Sequence, residues 1–135
     1  MLFRSTSSGT LQNVSGLSTA LAVQTSGGAA TLTNNGVLTG VVNLGAGAVN
    51  TLDNNRTWNT AGGTNTFGGN TASTVVNSGT ILAAVNGAPG PVTTSFNGLG
   101  TFTNAGLLTM QNGVVGDKTV INGNFGGSEI GRAHV

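Results

Sequence analysis

A seven-residue unit returns along this chain: apolar, any residue, Asn, any residue, Gly, any residue, apolar. It stands as Leu32-Thr33-Asn34-Asn35-Gly36-Val37-Leu38, as Val75-Val76-Asn77-Ser78-Gly79-Thr80-Ile81, and as Phe102-Thr103-Asn104-Ala105-Gly106-Leu107-Leu108. A degenerate copy, Leu52-Asp53-Asn54-Asn55-Arg56-Thr57-Trp58, carries Arg where the others carry Gly. A looser one surrounds Asn13, with Leu11 before it and Gly16-Leu17 after. The step is 21 positions from Asn13 to Asn34, then 20 to Asn54, 23 to Asn77, 27 to Asn104 and 18 to Asn122. Imperfect self-similarity at a period of about 20–27 residues marks a solenoid, in which each repeat buries its apolar face only by stacking on the next. The pattern therefore points to a shaft, not to a pocket.

Composition agrees with strands and turns. Charged residues make up 5% of the 135, against about 25% in ordinary soluble domains. Glycine alone accounts for 24 positions, and Thr and Asn fill most of the polar remainder. Val and Thr suit strands, while the Leu, Glu, Lys and Arg that build helices are scarce. The length fits one domain. The basic residues Arg4, Arg56, Lys118 and Arg132 are scattered. Clustered phosphate neutralisation is not available, so no nucleic-acid partner is expected. With no Cys, neither a disulfide framework nor a thiolate metal site can form. No apolar run reaches the roughly 18 residues that span a membrane, so no direct membrane insertion is expected. The first ten residues lack the apolar stretch of a signal peptide.

Short apolar or alternating segments, each bounded by Gly or Asn, read as strands: Thr31-Leu32-Thr33, Val37-Leu38-Thr39, Val41-Val42-Asn43-Leu44, Thr74-Val75-Val76, Thr80-Ile81-Leu82 and Thr101-Phe102-Thr103. Alternation turns Leu32 and Phe102 inward and their flanking threonines outward. Phe67, Phe96, Phe102 and Trp58 read as members of an inner stack. The Pro-containing segment 86–91 lies in the longest interval and reads as a loop bulging from one rung. Asn-Gly pairs at 35, 86, 97, 112 and 122 also suit hairpins, which would favour an antiparallel sandwich. The near-constant period favours the solenoid, with Asn and Gly as corner residues. In this reading Asn takes the left-handed conformation at corners, and stacked amides bond along the axis.

The expected fold is all-β: a parallel β-helix of about five to six rungs over residues 11–127, after a non-native or irregular start over residues 1–10. Residues 130–135, Ile130-Gly131-Arg132-Ala133-His134-Val135, resemble codon for codon the forward translation of a common short-read sequencing adapter. Residues 128–135 are therefore expected to be read-through and are set aside. They include the only His and the only Glu, Glu129.

The remaining constellations do not assemble chemistry. Asp53 and Asp117 lie 64 positions apart, whereas glycoside hydrolysis ordinarily needs two carboxylates flanking one bond. Neither the Gly-Gly-x-Gly-x-Asp calcium repeat, the Gly-x-Ser-x-Gly elbow nor a phosphate loop occurs. Sequons at Asn13 and Asn55 carry no assigned role. Thr-x-Thr at 31/33, 64/66 and 101/103 reads as ordinary outward strand positions. The expected catalytic, cofactor-binding and metal sites are none, and no cofactor is expected.

The repeats, together with Gly116-Asp117-Lys118-Thr119-Val120-Ile121-Asn122-Gly123-Asn124-Phe125, resemble the passenger region of bacterial autotransporters. That family repeats an apolar-Asn-x-Gly-x-apolar rung and carries a Gly-Asp-x-apolar-x-apolar-x-Gly-Asn-aromatic segment near the passenger's end. Thr119 departs from it at the first apolar place. The resemblance covers nearly all of residues 11–127. It implies a right-handed parallel β-helix, exported to the periplasm and displayed through the outer membrane by a C-terminal barrel, with export signal and barrel outside this chain. The implied function is a non-catalytic structural or adhesive segment at a Gram-negative cell surface. Its partners would be adjacent rungs, the barrel, and a host or neighbouring cell. The alternative is a fragment of a polysaccharide-active β-helix enzyme whose catalytic rungs lie elsewhere.

Overall fold

The structure, a computed structural model, describes residues 3–127. The chain winds through about five turns, and each turn lays one strand on each of three sheets. The first turn is β1 (Phe3–Ser7), β2 (Thr10–Gln12) and β3 (Leu21–Gln24). The second is β4 (Ala30–Asn34), β5 (Val37–Thr39) and β6 (Val41–Leu44). The third is β7 (Asn50–Asn54), β8 (Thr57–Asn59) and β9 (Thr64–Phe67). The fourth is β10 (Thr74–Asn77), β11 (Thr80–Ala84) and β12 (Thr93–Asn97). The fifth is β13 (Thr101–Asn104), β14 (Leu107–Met110) and β15 (Lys118–Ile121), and β16 (Asn124–Gly127) opens a sixth. The first sheet runs β1-β4-β7-β10-β13-β16, the second β2-β5-β8-β11-β14 and the third β3-β6-β9-β12-β15.

Pairing is parallel throughout. The parallel solenoid is thus the fold, and the antiparallel alternative falls. A two-residue hairpin cannot join parallel strands. The Asn-Gly pairs instead serve the corners and loops between sheets. At about 4.8 Å per turn the shaft is roughly 25 Å long.

The register corrects two readings of the repeat. In the first sheet Ser7 pairs with Asn34, and Gly127 pairs with Asn104. Asn13 and Asn122 therefore do not belong to the asparagine column. Asn13 follows β2, and Asn122 follows β15 in the third sheet. The column steps are 27, 20, 23, 27 and 23 positions, from Ser7 through Asn34, Asn54, Asn77 and Asn104 to Gly127. Regular pairing also begins before Leu11, where β1 already pairs with β4. The expected adapter-like residues 128–135 lie outside the described residues.

Alternation along each strand builds the core. The first sheet turns in Leu32, Leu52, Val75 and Phe102, one above another. The second turns in Leu11, Leu38, Trp58, Ile81 and Leu108. The third contributes Val23, Val42, Leu44, Phe67 and Phe96. Aromatic rings join the sheets: Trp58 meets Phe96 edge-on at 5.5 Å, and Phe96 meets Phe102 edge-on at 5.1 Å. The indole of Trp58 donates to Gly40 O at 3.0 Å, so its one polar group is satisfied inside.

Polar groups in this interior carry the rung spacing. Asn34 Nδ2 donates to Asn54 Oδ1 at 2.7 Å, Asn54 Nδ2 to Asn77 Oδ1 at 2.7 Å, and Asn77 Nδ2 to Asn104 Oδ1 at 2.6 Å. All four amides are buried. Asn34, Asn54 and Asn77 each also donate to the carbonyl that opens the second-sheet strand of the following turn: Thr57 O, Thr80 O and Leu107 O. The amide ladder is as expected, but its backbone is not. Among the described residues every positive φ falls on a glycine. The four asparagines end their strands in extended conformation and act through their side chains.

The unit's glycine has a different cause again. Gly36, Gly79 and Gly106 have no left-handed φ. A Cβ on Gly36 would overlap Gly9 O, one on Gly79 would overlap Arg56 O, and one on Gly106 would overlap Gly79 O. Turns stacked one rung apart simply leave no room. Gly79→Ala is expected to cost about 3 kcal/mol, since what the Cβ would meet is backbone of Asn55 and Arg56 and not a movable side chain. Gly90→Ala, which meets nothing within 4 Å, is expected to be near neutral. Urea midpoints of the two variants check the pair.

Candidate functional site

The three corners of the shaft are unequal. The first, between the first and second sheets, is always two residues long: 8–9, 35–36, 55–56, 78–79 and 105–106. The third corner, which returns to the first sheet, takes two to six residues. The second corner varies most. It is 13–20 in the first turn, Gly40 alone in the second, 60–63 in the third, 85–92 in the fourth and 111–117 in the fifth. The expected bulge at 86–91 is one of these excursions.

Loop 13–20 reaches past the single-residue corner of the second turn to the corner 60–63 of the third, and loop 85–92 faces the same place from the fourth turn. Ser18 Oγ donates to Ala61 O at 2.8 Å, and Gly62 N donates to Thr94 Oγ1 at 2.7 Å. A cleft of about 400 Å³ lies there, lined by Leu17, Thr19, Gly62, Pro89 and Val92 among others. Asn13 shapes the first loop, donating to Leu17 O at 2.7 Å and Ala20 O at 3.1 Å. Its sequon amide is therefore engaged in structure.

The segment 116–125 has a structural meaning at this corner. Asp117 Oδ1 accepts from Val92 N at 2.9 Å and from Asn112 Nδ2 at 3.0 Å, tying loop 111–117 to loop 85–92. Gly116, at φ 104°, packs against Pro91, where only glycine reaches that backbone without strain. Ile121 packs on the core, and Phe125 stacks on Phe102 at 5.9 Å. Among the described residues Asp117 Oδ2 and Thr119 Oγ1 are buried without a hydrogen-bond partner.

The other two corners carry open troughs. One, of about 470 Å³, follows the first corner past Asn35, Asn55, Arg56, Thr57 and Thr80. The other, of about 490 Å³, follows the third corner past Thr25, Asn43, Thr66 and Asn97. Asn55 Nδ2 donates to Asn35 Oδ1 at 2.8 Å on the outer surface. The third sheet has its own outer ladder: Thr66 Oγ1 bonds Asn43 Oδ1, and Asn122 Nδ2 donates to Asn97 Oδ1 at 2.5 Å.

Among the described residues the titratable side chains Asp53, Arg56, Asp117 and Lys118 do not converge. Asp53 points outward from β7 in register with Thr33 and Val76. Asp117 sits at the second corner of the fifth turn, Arg56 at the first corner of the third, and Lys118 opens β15 on the outside. Among the described residues no three His, Cys, Asp or Glu side chains are grouped to hold a metal ion. His134 and Glu129 lie outside the described residues. Thr31, Thr51, Thr74 and Thr101 form an outward column in register on the first sheet, while the column beside it reads Thr33, Asp53, Val76, Thr103. Sequence reasoning missed the first column because it counted Thr-x-Thr pairs instead of aligned positions. It also missed the cleft, whose walls come from loops more than sixty positions apart. No family model matches the chain, and neither a curated protein nor a solved structure matches it.

Proposed function

We propose that this chain is a non-catalytic length of shaft in a surface-displayed passenger of the autotransporter type, at the outer face of a Gram-negative bacterium. The observation that carries this reading is the buried ladder Asn34–Asn54–Asn77–Asn104. The residue that defines the repeat is occupied in joining one turn to the next, which is a mechanical role. The segment 116–125 supports the same reading, since it couples a loop clamp to a further aromatic rung. Neighbouring rungs and a C-terminal barrel would be its partners within the longer protein. Its polar faces and second-corner loops would meet a host or neighbouring cell.

The test is display. The chain is placed between an export signal and an outer-membrane barrel in a Gram-negative host. It is expected to reach the surface resistant to added protease, and to raise attachment of the cells to one another or to an epithelial layer. Cleavage throughout the chain, or release of reducing ends from a polysaccharide by the displayed chain, would overturn the reading.

A further inference from the structure

We propose that the first corner is a binding trough for linear acidic oligosaccharides, with Arg56 recognising a sugar carboxylate. The inference rests on the shaft reading and names the class of molecule its surface takes. The starting point is an exception in the repeat. The second residue of this corner is Gly9, Gly36, Gly79 and Gly106 in four turns and Arg56 in the third. At Gly36, Gly79 and Gly106 a Cβ would overlap backbone of the neighbouring turn. Departures from a local rule gather at functional positions.

The surroundings suit a carboxylate-bearing sugar. Arg56 is exposed, and among the described residues no carboxylate lines the trough. Its guanidinium offers a planar fork that matches a carboxylate with two parallel hydrogen bonds. The bonded Asn35 and Asn55 amides lie beside it. Thr57 and Thr80 present hydroxyls one turn apart. Amides and hydroxyls both donate and accept, as sugar hydroxyls require. The trough reaches from Ser8 in the first turn to Gly79 in the fourth, about 14 Å at the spacing of stacked strands, which is the span of a short oligosaccharide. A single guanidinium is poor at gathering a nucleic acid, which needs several phosphates neutralised.

The test is an NMR titration of the ¹⁵N-labelled chain with trigalacturonic acid, beside maltotriose and sodium sulfate. Saturable shifts are expected at the amides of Asn35, Arg56, Thr57 and Gly79, with millimolar affinity. Arg56→Gly restores the repeat and is expected to weaken binding about tenfold or more, the weight of a charged hydrogen-bond pair. Arg56→Lys is expected to fall between, and Lys118→Ala, on another face, to change nothing. Equal affinity for maltotriose, the same shifts from sulfate alone, or full affinity in Arg56→Gly would overturn the proposal. A dispersed β spectrum with no response to trigalacturonic acid sinks this inference and leaves the shaft standing. An undispersed spectrum sinks both, because the trough exists only between stacked turns.

Discussion

Asn54→Ala is expected to lower the unfolding free energy by about 3 kcal/mol, the weight of buried polar groups left without partners. Asn54 is the second of four amides in the ladder, and its side chain serves both neighbours. Without it, Asn77 Oδ1 loses the donor at 2.7 Å and Thr80 O the donor at 3.1 Å, while Arg56 O loses one at 3.2 Å and keeps Thr80 N. Asn34 Nδ2 keeps only its bond to Thr57 O at 2.9 Å. Low dielectric makes each orphan costly, and linked amides polarise one another. Urea unfolding followed by far-ultraviolet circular dichroism measures the loss. A change below about 0.5 kcal/mol, the scale of ordinary surface substitutions, would show that the ladder is incidental.

Asn54→Asp separates hydrogen bonding from volume. A carboxylate only accepts, and at this place it faces the acceptors Asn77 Oδ1, Arg56 O and Thr80 O. The ionised form is disfavoured, so the introduced carboxyl has a folded-state pKa above its unfolded value. Protonated, it can donate as the amide did. The variant is therefore expected to be most stable below the unfolded carboxyl pKa, and to lose that stability as pH rises through the folded value. A pH series of urea midpoints, compared with Asn54→Ala, reads this sign directly.

Phe96→Ala is expected to cost about 4 kcal/mol. Phe96 is fully buried and is the ring through which Trp58 and Phe102 communicate, at 5.5 and 5.1 Å. Its removal opens a cavity where three sheets meet and where stacked backbones resist collapse. Phe125→Ala is the matched control. Phe125 touches a single ring, Phe102 at 5.9 Å, and is 40% exposed. Its loss is expected near 1 kcal/mol, in line with partial burial. Trp58 fluorescence gives a second reading: its emission is expected to shift to the red in Phe96→Ala as water reaches the indole, and to stay unchanged in Phe125→Ala. Equal losses from the two variants would contradict a continuous aromatic core.

Much of the interior was legible in the chain. Thr31-Leu32-Thr33 and Thr101-Phe102-Thr103 alternate, and the alternation alone turns Leu32 and Phe102 inward, where both are buried. Trp58 stands at the last apolar place of the unit and lies in the core accordingly. The asparagine at the third place of the unit predicts a ladder of amides, and Asn34, Asn54, Asn77 and Asn104 form one. The candidate sites were less legible. The cleft at the second corner depends on which loops are long in which turn, and the trough at the first depends on Arg56 standing among glycines of other turns.

Register was the hardest to read. Asn13 and Asn122 match the motif loosely and fall near the expected period, yet Ser7 and Gly127 occupy the column. Loop length causes this: an eight-residue excursion at 13–20 moves the repeat along the chain without moving it in space. Loop closure costs little per added residue, so such insertions are tolerated and blur a period counted in sequence.

By itself the amino-acid sequence determined that the chain is a stack of short strands with an apolar inside and an amide at four successive rungs. Those properties follow from side-chain alternation and from residue type, which are local. Only the tertiary structure decided which residues share a column, why glycine is required at 36, 79 and 106, and where the corners open into troughs and a cleft. Each of those depends on what lies one turn above or below, about 4.8 Å away in space and some 20 to 27 positions away in the chain.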